Sequence, residues 1–254
     1  MAEVVPVSSS AQLVLLPWLW GWDQPADRTL FGAVLHAGSC LGISAVLIAA
    51  GGADRRTLLL VAASSVPAAV AGLLTADRVE ARLGQPPQLA ALLAGFGALL
   101  WAADRWSPQH RQIGPREVTF AAAAQVVALV PGVSRSGATL TTLRLAGVER
   151  AAAQRFSLLM SLPVTAGAAG LTLARADRAA VRPLASSLAV GALAAAAAAA
   201  VAASAQAHRP GRSMNGPALY RFALAAVVAR RLRTSRRRAA PGATATTSYG
   251  LHAS

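Results

Sequence analysis

The sequence predicts an all-α integral membrane protein, an inverted repeat of two re-entrant helix hairpins and about six transmembrane helices. Three observations predict this fold class. The chain is 55% hydrophobic and only 13% charged. Its apolar residues are gathered into uncharged stretches of about 20 residues, the length that crosses a bilayer as a helix. A proline followed by clustered serines occurs once in each half of the chain.

The predicted spans differ in strength. The four clearest ones carry no charge over a membrane-crossing length. The span 83–103 is also uncharged although two prolines mark its start, and 213–229 is weaker because Arg221 interrupts it. In chain order the spans are 29–50, 57–76, 83–103, 156–174, 184–207 and 213–229.

These spans predict one membrane domain over residues 1–232. The first repeat covers about 1–104 and the second about 117–232. The remaining residues, 233–254, are rich in arginine and then in threonine, serine and alanine, which is typical of a disordered tail near lipid headgroups.

The charge balance fits a membrane protein. The net charge is +14, and all 24 basic residues are arginines that lie mostly between or beyond the spans. We therefore expect contact with membrane lipids and no nucleic-acid partner. The arginines do not decide which side of the protein faces the cytoplasm, since counting the tail reverses the balance of arginines between the two sides.

The single cysteine, Cys40, excludes a disulfide framework and a thiolate metal site. We expect no cleavable signal, because the first residues lack a basic region.

The two proline-serine stretches read EVVPVSSSAQL and VPGVSRSGATL. Pro6 lies 25 positions before Phe31, and Pro131 lies 25 positions before Phe156. This spacing indicates an internal duplication in which each half has one interrupted segment and three spans. Because an odd number of spans separates the interrupted segments, the two enter the membrane from opposite faces and meet near the midplane.

Such breaks suit a polar ligand. Irregular backbone at membrane depth persists only where protein or trapped water satisfies its polar groups. A helix that restarts after a break directs free amides and its positive dipole end toward the cleft, which favours an anion. Arg135 adds a planar fork of donors that matches phosphate oxygens. We therefore interpret the serine clusters as functional rather than as packing residues.

Other ionisable side chains carry weaker signals. Glu3 lies close to the terminus, where a carboxylate is normally solvated. His36, in the motif LHAGS, lies within a span, where a satisfied packing histidine is favoured over a chemical role. No pair of histidines has the spacing of metal ligands.

The stretch EVVPVSSSAQL resembles the signature E-F-L-P-V-S-S-[ST]-G-H-L of the undecaprenyl-diphosphatase family, the membrane enzymes associated with bacitracin resistance. PGVSRSGAT and the later RFSLLMSLP resemble that family's second signature. Weaker matches extend the resemblance over about residues 2–229. The resemblance implies a multi-pass protein of the bacterial cell membrane. It also implies hydrolysis of undecaprenyl diphosphate to undecaprenyl phosphate and phosphate, which recycles the lipid carrier of cell-wall synthesis, with a divalent cation, Mg or Ca.

Carried over position by position, the resemblance implies a set of site residues. Glu3 falls on a catalytic acidic position that also binds the metal. Ser8 and Ser9 fall on the active-site serines, with Ser9 as the nucleophile, and Arg135 falls on a catalytic position. The implied substrate-binding residues are Ser10, Gln12, Ser134, Ser136 and Gly137.

Two departures keep an alternative open. Gln12 stands where the family has a histidine, and glutamine cannot shuttle a proton near neutral pH. The family also has a glutamate four residues before the position of Glu3, which this sequence does not include, so we expect either a true start further upstream or a degenerate member. The alternative function is noncatalytic binding or transport of a polyprenyl phosphate. A homodimer also stays open.

Overall fold

The structure, a computed structural model, describes residues 2–23, 27–108 and 110–239. Over these ranges the chain is helical, without β-strands apart from one isolated bridge between Arg111 and Val148. The helices are α1 (Ser9–Trp20), α2 (Arg28–Ala49), α3 (Arg55–Arg82), α4 (Pro86–Trp106), α5 (Pro115–Val127), α6 (Arg135–Leu145), α7 (Arg150–Arg175), α8 (Arg178–Val181), α9 (Ala185–His208) and α10 (Asn215–Ala239).

Five helices within the described ranges are long and apolar enough to cross a membrane: α2, α3, α4, α7 and α9. The sixth predicted span corresponds to α10, which has 25 residues but is too polar for that set because arginines interrupt it. It packs along α4. This helix runs to Ala239, past the predicted domain boundary at 232, and the rest of the predicted tail, 240–254, lies outside the described residues.

Besides the four-residue α8, three described helices are too short to span. With 12, 13 and 11 residues, α1, α5 and α6 are about 17 to 20 Å long, against about 30 Å of hydrocarbon. The helices α5 and α6 pack against each other, with an irregular break over 128–134 between them. They form the second predicted re-entrant hairpin. For the first, the described residues supply the break, as turns over 2–7, and the outgoing helix α1.

Contacts at the helix ends show that the two breaks open toward opposite faces. Arg231, near the end of α10, donates to the carbonyl of Leu19 at the end of α1. On the other face, Asp104 near the end of α4 accepts from the amide of Met214, which precedes α10, at 3.0 Å. Because α6 ends beside Asp104, it leaves the midplane toward the face opposite to that of α1. The predicted inverted architecture is therefore confirmed.

The helices α2 and α9, from different repeats, are in backbone contact. A Cβ atom added at Gly38 would overlap the carbonyl of Ala192, and one at Gly42 would overlap the carbonyl of Ala196. Small residues spaced by four let membrane helices approach closely. This close approach fixes the rotation of α2, the helix that carries His36.

A buried carboxylate holds the outer end of α6. Asp104 is 2% exposed, and its Oδ1 lies 3.3 Å from Nε of Arg144 and 2.6 Å from Nε of Arg150. Together with the bond to the Met214 amide, it joins α4, α6, α7 and the start of α10. Since Arg144 lies in the last turn of the helix that Arg135 begins, this network fixes the position of the second break.

The tryptophans lie at the ends of two helices. Trp20, the last residue of α1, stacks on Trp22 with ring centroids 5.7 Å apart. At the end of α4, Trp101 packs edge-on against Trp106 at 5.3 Å. Tryptophan is enriched at membrane–water interfaces, so these two clusters mark the two faces of a multi-pass membrane protein.

Candidate active site

Two serines adopt the same strained conformation at the two breaks. Ser8 (φ 69°) and Ser134 (φ 72°) are the non-glycine residues with positive φ in the described chain, and they precede α1 and α6. Strained backbone of this kind clusters at functional sites. The hydroxyl of Ser8 lies 3.3 Å from that of Ser10, and the hydroxyl of Ser134 lies 3.3 Å from that of Ser136. Ser134 also caps α6 by accepting from the amide of Gly137 at 3.2 Å.

The site lies at mid-depth in the membrane. His36 follows the start of α2 by eight residues, about 12 Å of helix, and Ser157 follows the start of α7 by seven, about 10 Å. The two helices begin on opposite faces and pack against each other. Glu3, which contacts His36, and Arg135, which contacts Ser157, therefore lie near the centre of the bilayer. The amino ends of α1 and α6 meet there and present amides and positive dipole ends.

Glu3 joins the two breaks. Its carboxylate is nearly buried, at 9% exposure. Oε1 accepts a hydrogen bond from the Ser9 hydroxyl and lies 3.2 Å from Nδ1 of His36. Oε2 accepts from Nη2 of Arg135 at 3.0 Å. Residues 132 positions apart in the sequence thus form one polar cluster.

An apolar anchor keeps Glu3 at this depth. The next residue, Val4, is 5% exposed and belongs to the main buried cluster together with Leu140 of α6 and Phe156 of α7. Between membrane helices such packing stabilises through van der Waals contact rather than through removal of apolar surface from water. The turn that carries Glu3 is therefore held against the second break by packing as well as by charge.

Arg135 is fixed from two directions. Its side chain is 12% exposed, and besides the bond to Glu3 its Nη1 donates to the carbonyl of Ser157 at 3.1 Å. The hydroxyl of Ser157 lies 2.7 Å from that of Thr139, one turn along α6. Arg135 thus lies between the first break and α7, and its guanidinium binds the same carboxylate as Ser9.

Gln12 does not belong to the group of side chains that contact Glu3. Its Nε2 donates to the carbonyl of Val7 at 3.1 Å, and its Oε1 accepts from the hydroxyl of Tyr220 at 2.8 Å. In the described structure it makes no hydrogen bond to Glu3. Gln12 therefore ties α1 to α10 at the edge of the cluster.

His36, for which the sequence favoured a packing role over a chemical one, lies in the polar cluster. Its ring contacts the Glu3 carboxylate, and its side chain is 29% exposed. The signal available in the sequence was its position within a span, where an ionisable group is a functional candidate by default. Only the rotation of α2 decided that the ring faces the polar cluster rather than lipid.

Sequence reasoning also missed Arg221, which it treated only as an interruption of a weak span. Arg221 is 0% exposed and lies between the two breaks. Its Nε donates to the carbonyl of Pro6 at 2.6 Å, and its Nη1 donates to that of Val133 at 3.4 Å. The carbonyls freed by each break thus share one guanidinium, which supplies hydrogen bonds that irregular backbone at membrane depth requires.

Fold and site together define a class of protein. Inverted repeats whose broken helices meet at the midplane, with helix amino ends, serines and arginines in the crevice, form an intramembrane site for an anionic headgroup.

The family model of the bacitracin resistance protein BacA matches residues 1–227. This chain therefore belongs to that family. The undecaprenyl-diphosphatase of Gemmatimonas aurantiaca is 38% identical over 216 residues, 76% of this chain and 80% of the relative. That of Desulforudis audaxviator is 37% identical over 70% of this chain and 73% of the relative, and that of Geobacter metallireducens is 39% identical over 66% and 70%.

Proposed function

We propose that this protein hydrolyses undecaprenyl diphosphate to undecaprenyl phosphate and phosphate in the bacterial cell membrane, and so recycles the lipid carrier of cell-wall synthesis. The observation that carries the proposal is the cluster in which Glu3 binds Ser9 from its own break and Arg135 from the other. The relatives named undecaprenyl-diphosphatase align with this chain over most of their own length.

The cluster contains the groups that phosphoryl transfer needs. A diphosphate resists attack while its oxygens carry charge, so the site must neutralise that charge and stabilise what develops on the leaving group. The guanidinium of Arg135 and the first amides of α1 and α6 do this. Ser134 and Ser136 hold phosphate oxygens at the start of α6, where the Gly137 amide is bonded to the Ser134 hydroxyl. Ser8 and Ser10 do so at the start of α1.

Ser9 is the nucleophile in this proposal. Its Oγ bonds to the terminal phosphorus while its proton passes to Glu3. The bond from that phosphorus to the bridging oxygen breaks, and undecaprenyl phosphate leaves with the electron pair. Water then cleaves the phosphoserine, which restores the Ser9 hydroxyl and releases phosphate.

A divalent cation would be held by Glu3. The described residues contain no group of three or more histidine, cysteine, aspartate and glutamate side chains that would form a cage. Mg²⁺ is often held by one or two carboxylates plus substrate phosphates, and this donor set fits that pattern. When bound, the cation supplies charge neutralisation to the phosphates. Glu3 would then exchange at least one of its present contacts for it.

Gln12, which stands where the family has a histidine, favours the rival function of noncatalytic polyprenyl-phosphate binding, because glutamine cannot shuttle a proton near neutral pH. His36 weakens that argument, because it places an imidazole 3.2 Å from the Glu3 carboxylate. The site therefore has an imidazole although the family's histidine position is occupied by glutamine.

Phosphate release from undecaprenyl diphosphate by the purified protein in detergent or liposomes tests the proposal. We expect release with Mg²⁺ or Ca²⁺, and its loss in the Ser9→Ala variant. Absence of release with either ion, from protein that still binds the lipid, would establish the noncatalytic rival instead.

A further inference from the structure

Arg221 is a buried cation without an anion. The side chain lies within α10 and is 0% exposed. Its hydrogen bonds go to two backbone carbonyls, those of Pro6 and Val133. None of the ion pairs in the described part of the chain includes it. Its Nη2 is buried and has no hydrogen-bond partner.

This arrangement leaves the site with a surplus of positive charge. Buried charges in proteins are normally paired, because moving an unpaired ion out of water costs several kcal/mol. Among the described groups around the breaks, Glu3 is already paired with Arg135. Two carbonyl dipoles compensate Arg221 in part, and one positive charge remains without a counterion.

The uncompensated nitrogen lies against the start of α6. A Cβ atom added at Gly137 would overlap Nη2 of Arg221 and come within 3.0 Å of its Cζ. Gly137 is the third residue of α6 and donates its amide to Ser134. The guanidinium therefore sits directly behind the first turn of the helix whose amino end faces the crevice, and its charge adds to the helix dipole there.

We propose that Arg221 is a positioning residue for the diphosphate group. It holds the two breaks together through their carbonyls, and it places behind the first turn of α6 a charge whose counterion is the bound diphosphate. The inference rests on the proposed function for the identity of the ligand. Arg221 acts through α6, since its complete burial keeps it from touching the headgroup.

Two substitutions separate the charge from the hydrogen bonds. Arg221→Lys keeps a positive charge that can donate to a carbonyl, whereas Arg221→Gln keeps a carbonyl donor and loses the charge. The probe is methylenediphosphonate, a diphosphate analogue that cannot be hydrolysed, and its Kd is measured by titration in detergent. Arg230→Gln is the matched control, because Arg230 lies on the same helix and is exposed.

We expect Arg221→Gln to weaken diphosphonate binding by about tenfold or more, and Arg221→Lys to recover most of that loss. The control keeps the wild-type Kd. In turnover the Gln variant shows the same increase in KM. Equal Kd values for the Lys and Gln variants, whether weakened or unchanged, would overturn the proposal, because a purely structural clasp does not distinguish them by charge.

Gly137→Ala provides a second test if the Arg221 variants do not fold. The added methyl displaces the guanidinium from the first turn while the charge stays in the protein, so weaker diphosphonate binding is expected and an unchanged Kd refutes the proposal. Because binding of the analogue requires no hydrolysis, a wild-type protein that binds it but releases no phosphate would reject the proposed function and leave this inference standing.

Discussion

Replacement of Arg135 by lysine measures how much the planar shape of the guanidinium contributes to turnover. Arg135 makes two hydrogen bonds with different nitrogens, to Oε2 of Glu3 at 3.0 Å and to the carbonyl of Ser157 at 3.1 Å. An ammonium group at the end of a lysine side chain cannot reproduce this fork. We expect it to keep the contact with Glu3 and lose the other.

The expected loss follows from those bonds. One hydrogen bond to a charged group contributes about 1.5 to 3 kcal/mol, so Arg135→Lys should lower kcat/KM by about 10- to 150-fold. Arg135→Ala removes both bonds and the charge that neutralises the phosphates, and should abolish measurable turnover.

Phosphate release at several concentrations of undecaprenyl diphosphate provides kcat and KM for each variant, and a thermal unfolding curve in the same detergent shows that the variants are folded. Arg116→Lys is the control, since Arg116 is exposed on α5 of the same hairpin. A wild-type value of kcat/KM in the Arg135→Lys variant would refute the claim that turnover requires both hydrogen bonds of the planar guanidinium.

Three further outcomes are expected. Ser9→Ala should lower kcat by about a thousandfold or more, whereas Ser187→Ala, at an exposed position on α9, should leave kcat unchanged. Substantial turnover without the Ser9 hydroxyl would indicate that water attacks the phosphorus directly. Gln12→His should raise kcat, and an unchanged rate would show that proton transfer at that position does not limit turnover. Gly42→Val should destabilise the protein by about 1 to 3 kcal/mol in thermal unfolding, because α2 and α9 must separate to admit the side chain. Gly95→Ala should not destabilise it, since the added Cβ has no atom within 4 Å. Equal unfolding temperatures for the two variants would contradict the close approach of α2 and α9.

The helices and breaks could be predicted from local patterns. The predicted span 29–50 corresponds to α2 (Arg28–Ala49), and 184–207 corresponds to α9 (Ala185–His208). These agreements follow from one constraint, since a membrane-crossing helix needs a sustained apolar stretch and an interruption by proline or glycine ends it. The second re-entrant hairpin was recognisable for the same reason.

The ends of elements were less predictable. The span predicted to begin at 156 begins at Arg150, because an arginine-containing first turn can be helical outside the hydrocarbon. Likewise α10 continues to Ala239 through residues that composition assigned to the tail. Charge marks where a helix leaves the lipid, and it does not mark where the helix ends.

The sequence by itself determined which segments cross or enter the membrane, that they occur twice, and that serines and Arg135 lie at the breaks, because those properties depend on residues close together in the chain. Only the tertiary structure decided that Glu3 meets Arg135, that His36 faces the same carboxylate and that Arg221 lies behind α6. The physical reason is that the direction of a side chain on a membrane helix depends on the rotation of that helix. Contacts between helices far apart in the sequence, such as that of Gly42 with Ala196, set this rotation.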